Sequence, residues 1–118
     1  MKKVLPLLLI IMLAFAGCHS TPATYETAEK PQEIVDHAEK FVSQVSKKAK
    51  HYKAEDWDAA IYQFVQMGKN YYSYQPFFSE EQQMQYDNAR MEFIHAVDTY
   101  GGAEMALRVK KEYGMIFD

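Results

Sequence analysis

The sequence predicts an all-α fold, a small antiparallel bundle of three to four helices that follows an N-terminal signal peptide. Three observations predict it. Apolar residues recur at spacings of three and four through most of residues 31–113, the repeat that lines one face of a helix. No alternating pattern of strand type runs longer than a few residues, and there is no internal repeat. Breakers are few, and Pro31, Pro76 and the pair Gly101-Gly102 fall at the ends of the periodic stretches.

Taken from the N-terminus, the first element is a leader. Lys2 and Lys3 precede an apolar run from Val4 to Ala16, interrupted only by Pro6 and closed by the small residues Ala16 and Gly17. That order of charge, apolar stretch and small residues is a signal peptide over residues 1–17. The run is shorter than the roughly 17 to 25 apolar residues that span a bilayer. Residues 18–30 are rich in Thr, Ala and Glu, contain Pro22 and lack apolar periodicity, which predicts a flexible tether. The bundle is then residues 31–118.

Pro31 suits the first turn of a helix, and Ile34, Ala38, Phe41, Val45, Ala49 and Tyr52 mark one face of a helix over about 32–52. A second set, Trp57, Ile61, Phe64, Gly68 and Tyr71, is rotated by roughly 140° from the first at 100° per residue. One straight helix could not turn both stripes to a common core, so a turn is expected near Lys53 and Ala54. Lys47, Lys48 and Lys50 before that turn and Glu55, Asp56 and Asp58 after it have the charge signs of a helix end and a helix start. The second helix is expected over 55–73, stopping before Pro76, whose ring disfavours helical geometry in Gln75. Ser79 with Gln82 forms a capping box for a third helix over 80–100, with Tyr86, Ala89, Phe93, Ala96, Val97 and Tyr100 on one face. Gly101-Gly102 ends it by tolerating positive φ. A shorter helix over 103–113 and an apolar tail, Met115-Ile116-Phe117, packed back onto the bundle complete the chain.

Composition narrows the function. A net charge of -3 offers no broad basic face, which argues against nucleic-acid binding. One Cys among 118 residues excludes an intrachain disulfide or a multi-cysteine metal knuckle. The Ser residues sit in no nucleophile elbow, and the Gly residues are too scattered to cradle phosphate. Glu92 and His95 lie three apart on a helix, but a di-metal bundle needs a second such pair and two more Glu; Glu33 with His37 does not complete it. Catalytic, metal and cofactor residues are therefore not assigned. The acids Glu55, Asp56 and Asp58 are accounted for by helix-start electrostatics. The group Lys47, Lys48, Lys50, His51 and Lys53 reads mainly as a solvated helix end, with anionic headgroups or an acidic polymer as the alternative. Around the turn after the second helix, Tyr71, Tyr72, Tyr74, Phe77 and Phe78 crowd together. Tyr72, Tyr74, Phe77 and Phe78 are the candidate contacts for a protein or glycan partner, because exposed aromatic rings give large rigid contacts at low entropy cost; closure of the core end is the competing use.

The stretch Phe15-Ala16-Gly17-Cys18 resembles the lipobox of bacterial lipoproteins, with Phe15 where those proteins usually have Leu. That resemblance implies that Cys18 takes a diacylglyceryl group and becomes the first mature residue. Membrane contact would then run through the lipidated Cys18, and His19, not being Asp, points to the outer membrane under the usual sorting rule. The stretch from Phe41-Val42 through Tyr52, then Glu55-Asp56-Trp57, the Tyr-rich end of the second helix and Ser79-Glu80-Glu81 are similar to a family of small helical lipoproteins of unknown function from Bacteroidetes-type bacteria. The likeness covers about residues 33–100, with Lys53-Ala54 where members often carry Ser or Thr. It implies a lipid-anchored envelope bundle and supplies no catalytic residues to carry over. The lipobox together with the lack of an assembled catalytic set points to a non-enzymatic protein acting through contacts with another envelope component. A helical inhibitor or immunity-type protein with one specific partner shares the same fold, and a metal-binding bundle is the third reading.

Overall fold

The computed structural model describes residues 23–117, with side chains through Tyr113. The signal peptide, the lipobox and Cys18 lie outside the described residues. All regular structure among the described residues is helical: α1 (Pro31–Lys48), α2 (Ala54–Tyr74), α3 (Glu80–Ala96) and α4 (Gly102–Phe117), joined by short 3-10 and π turns. The helices pack into a compact globule. None among the described residues is long and apolar enough to cross a membrane.

Each boundary follows from local chemistry. Pro31 opens α1, with Glu33 in its first turn and Lys47 and Lys48 in its last, matching the macrodipole at both ends. The helix is shorter than the expected 32–52. Ala49–His51 tightens into a 3-10 turn, and Tyr52 and Lys53 are extended, which makes the expected break. Asp56 Oδ2 accepts from the Lys53 backbone N–H at 2.8 Å, so an acid in the first turn of α2 does part of the capping that Lys53 cannot. At the other end α2 stops at Tyr74, and the 3-10 turn Gln75–Phe77 contains Pro76. Ser79 caps α3 reciprocally: Gln82 N–H donates to Ser79 Oγ at 3.1 Å, and Ser79 N–H donates to Gln82 Oε1 at 3.0 Å.

The third element differs from expectation in its last turns. Instead of one helix over 80–100, α3 ends at Ala96 and widens into a π turn, Val97–Gly101. A π turn holds more residues than an α turn, so it swings later side chains off the stripe. Tyr100, expected on the core face, is 50% exposed. Gly102 has φ +84 and ψ 172, a backbone region that only glycine occupies without strain, and it redirects the chain into α4. That helix runs to Phe117, so residues 115–117, expected as a folded-back tail, continue the helix.

Two hydrogen bonds fix how α1 and α3 lie. Gln82 Nε2 donates to Gln32 Oε1 at 3.2 Å, and Ser46 Oγ donates to Glu92 Oε2 at 3.0 Å. The starts of the two helices are therefore together, as are their later halves, and the pair runs in one direction. Their shared interface is the largest between any two elements. Fully buried Ile34, Val35, Phe41, Val42 and Val45 of α1 meet Ile61, Phe64 and Met67 of α2, Tyr86 and Phe93 of α3, and Val97 of the π turn. Phe93 is the centre, stacked on Phe64 at 4.1 Å and on Phe41 at 5.8 Å between ring centroids.

The expected tether differs most. In its described part, residues 23–30, it is a strap laid on the helices, with Ala23 2% and Tyr25 7% exposed. Tyr25 meets Phe41 edge to face at 6.3 Å, and its backbone N–H donates to Gln63 Oε1 at 2.9 Å. Burying an aromatic ring is worth several times a surface hydrogen bond, which is why a polar-looking segment stays down.

Candidate functional site

The strap and the helix ends build an open groove of about 510 Å³ lined by Thr27, Ala28, Glu29, Lys30, Glu33, Asn70 and Tyr74. Among its lining residues is Asn70, the one buried polar side chain among the described residues. Asn70 Oδ1 accepts from Tyr25 Oη at 2.6 Å and from the Ala28 backbone N–H at 3.0 Å, while Asn70 Nδ2 donates to the Ala28 carbonyl at 2.9 Å. This clasp turns the amide toward the strap, so Asn70 positions the groove wall and is engaged by the protein itself. Burial raises the Tyr25 hydroxyl well above the ordinary tyrosine value, which keeps it a neutral donor.

Further along the strap, His37 Nδ1 lies 2.8 Å from the Glu26 carbonyl. A carbonyl only accepts, so the imidazole carries its proton on Nδ1 in this contact. Thr24, Glu26, His37, Lys40 and Gln44 surround a smaller hollow of about 100 Å³. Glu33 and His37, considered together from their spacing, thus belong to different surroundings: one lines the groove, the other ties α1 to the strap.

The aromatic turn is divided by the structure. Phe78 is buried, 7% exposed, and meets Tyr71 edge to face at 4.8 Å; Tyr71 in turn stacks on Tyr86 at 3.9 Å. Phe78 is thus a core-closing residue, which corrects its assignment as a partner contact. Tyr74 packs partly against the core and borders the groove. Tyr72 and Phe77 are 60% and 73% exposed and are the two rings of the predicted set that face outward.

The charged clusters resolve in the same way. Glu92, half of the Glu92-His95 pair, accepts from Ser46 across the α1–α3 contact. Asp56 caps α2, and Asp58 pairs with Arg108, which also reaches Glu112 at 2.6 Å. Among the described residues no three His, Cys, Asp or Glu side chains come together to hold a metal ion. Of the basic group, Lys47, Lys50, His51 and Lys53 are exposed and Lys48 is half-buried. They surround the 3-10 turn, which packs on the π turn and is followed by Tyr52, set edge to face on Trp57 at 4.9 Å.

Burial also raises the phenols of Tyr52, Tyr71, Tyr86 and Tyr113, with neighbouring Tyr113 adding to the effect at Tyr86. These shifts favour the neutral form, the reverse of what a tyrosinate base needs. Sequence reasoning missed Tyr25 and the role of Asn70. A signal existed for Asn70, which falls three residues after Met67 on the buried side of α2. Tyr25 has no periodic neighbours to announce it.

Comparison with protein-family models, with curated protein sequences and with solved structures gave no match.

Proposed function

We propose that this protein is a lipid-anchored helical bundle of the bacterial envelope, an antiparallel arrangement in which α2 runs back against the co-directional pair α1 and α3, and that it acts by surface contact and not by catalysis. The observation that carries the reading is the sole cysteine, Cys18, placed where the apolar leader stops in the sequence Phe15-Ala16-Gly17-Cys18. Residues 1–17 would be removed, and the acyl groups on Cys18 would hold the mature chain at the outer membrane. One acyl chain anchors weakly and two or three anchor stably, at about 0.8 kcal/mol per buried methylene. The resemblance to the small helical lipoproteins over residues 33–100 supports the same reading.

The test is incorporation of labelled palmitate in a bacterial host, with Cys18→Ala as control. Label in the native chain and none in the variant is expected; equal label, or an unmodified thiol with the leader still attached, refutes the anchor. The contact surface for an envelope protein or glycan is assigned to Tyr72 and Phe77, the exposed rings of the aromatic turn. A partner captured equally by the native chain and by a Tyr72→Ala, Phe77→Ala variant would discard that assignment. The inhibitor or immunity-type alternative uses the same surface and requires one tight partner.

A further inference from the structure

The strap has a direction, and it leads to the basic turn. Ala28 is clasped by Asn70 near the end of α2, and Glu26 meets His37. Thr24 borders Lys40 and Gln44, and Ala23 is buried in the core against which Tyr52 packs. Residues 30 to 23 thus run back along α1 from its start to its end. The chain reaches Ala23 beside the turn that carries Lys47, Lys50, His51 and Lys53, all exposed.

This position matters because Ala23 is only five residue steps from Cys18. Whatever their conformation, they cannot span more than about 18 Å at 3.3 to 3.6 Å per residue. If Cys18 sits in the bilayer interface, as the lipoprotein reading on which this inference rests requires, the end of the body nearest the lipid is the basic turn.

Charge agrees with that orientation. The opposite end, where α1 and α3 begin and α2 ends, carries Glu29, Glu33, Asp36, Glu80 and Glu81 against Lys30 and Lys69, and would be repelled by an anionic surface. At the basic end the charged groups of other elements are Glu55, Asp56, Asp58, Glu92, Asp98, Glu104 and Arg108, with Glu92 engaged by Ser46. Asp56 is turned back to the Lys53 backbone and Asp58 is held by Arg108. The shorter side chains of Glu55, Asp98 and Glu104 reach less far than the lysine ammoniums, which extend on four-carbon stems.

We propose that Lys47, Lys50, His51 and Lys53 form a docking face for anionic phospholipid, seated on the bilayer next to the acylated Cys18 so that the acidic end with Tyr72 and Phe77 points away from the membrane. Each lysine brought to such a surface favours that orientation roughly fivefold.

The acylated full-length mature protein is reconstituted into phosphatidylcholine vesicles with and without phosphatidylglycerol, and lysine acetylation is read residue by residue by mass spectrometry. Lys47, Lys50 and Lys53 should react at least about fivefold more slowly on the anionic vesicles, with Lys30 and Lys69 unchanged. The protection should vanish at about 1 M salt, where the screening length is ~3 Å. Equal reactivity of the three lysines on both vesicles, with acyl mass present on Cys18, overturns the docking face and leaves the anchor standing. Absence of acyl mass on Cys18 removes the anchor, and the docking face with it.

Discussion

Replacing Asn70 by Ala tests the feature on which both the groove and the strap depend. The side chain makes three hydrogen bonds, with the Tyr25 hydroxyl, the Ala28 N–H and the Ala28 carbonyl, at 2.6, 3.0 and 2.9 Å. At a net contribution of about 1 kcal/mol each, their loss costs about 3 kcal/mol. Two effects limit the range. Leaving the Tyr25 hydroxyl buried without a partner would add about 1 to 3 kcal/mol. The strap can escape that penalty by peeling off, which forfeits instead the burial of the Tyr25 ring, about 1.5 to 3 kcal/mol. The expected loss for Asn70→Ala is therefore about 3 to 5 kcal/mol by denaturant unfolding of the unacylated chain lacking residues 1–18. Tyr25→Phe removes one bond of the three and should cost about 1 kcal/mol. The double variant should fall short of the sum of the two by about 1 kcal/mol, the energy of the bond they share. Hydrogen exchange supplies the local readout, since the Tyr25 and Ala28 amides donate to Gln63 and Asn70. An Asn70→Ala variant within about 0.5 kcal/mol of the parent, with both amides as protected as before, would refute the clasp.

The central ring stack and the buried phenols give two further outcomes. Phe93 is fully buried between Phe64 and Phe41, so Phe93→Ala should lower stability by about 3 to 5 kcal/mol; a loss under about 1 kcal/mol in the same unfolding assay would mean that the stack is not the centre of the core. Tyr25 and Tyr86 ionise well above 10.0 when folded and near that value when unfolded. The unfolded chain therefore gives up protons first. Stability is fully present below about pH 10 and falls as pH rises above it, by up to about 1.4 kcal/mol per pH unit for each such tyrosine. Tyrosinate absorbance should rise together with unfolding; ionisation of every tyrosine near pH 10 in a chain that keeps its helical circular dichroism would contradict the burial.

The helices were legible because their period is written in large apolar residues. Ile34, Ala38, Phe41 and Val45 announce α1, and each is buried. The second row, Val35 and Val42, escaped because a single stripe assumes one neighbour, whereas α1 touches both α2 and α3. Tyr100 was misplaced for a geometric reason: a period of 3.6 cannot foresee a π turn. The division of Phe77 from Phe78 was equally hidden, since it depends on Phe77 closing a 3-10 turn and Phe78 following in extended backbone. The strap was the largest omission. Its hold comes from Tyr25 and Asn70, 45 residues apart, and no local pattern encodes a contact at that separation.

That long-range contact also decides how the proposed anchor would act. With the strap docked, the lipid-bearing residue is tied to the basic end by at most about 18 Å of chain; with it released, the tie lengthens to the 13 residue steps from Cys18 to Pro31, about 45 Å. A short tie holds the lysines at the headgroups by raising their effective concentration there, and a longer flexible one dilutes it. Asn70 is remote from every lysine of the basic turn, since it lies with Ala28 near the start of α1. Asn70→Ala should nevertheless weaken the protection of Lys47, Lys50 and Lys53 on anionic vesicles while leaving their charges intact. Protection equal to that of the native protein, in a variant whose strap amides exchange freely, would show that the lysines seat on lipid without help from the strap and would separate the clasp from membrane orientation.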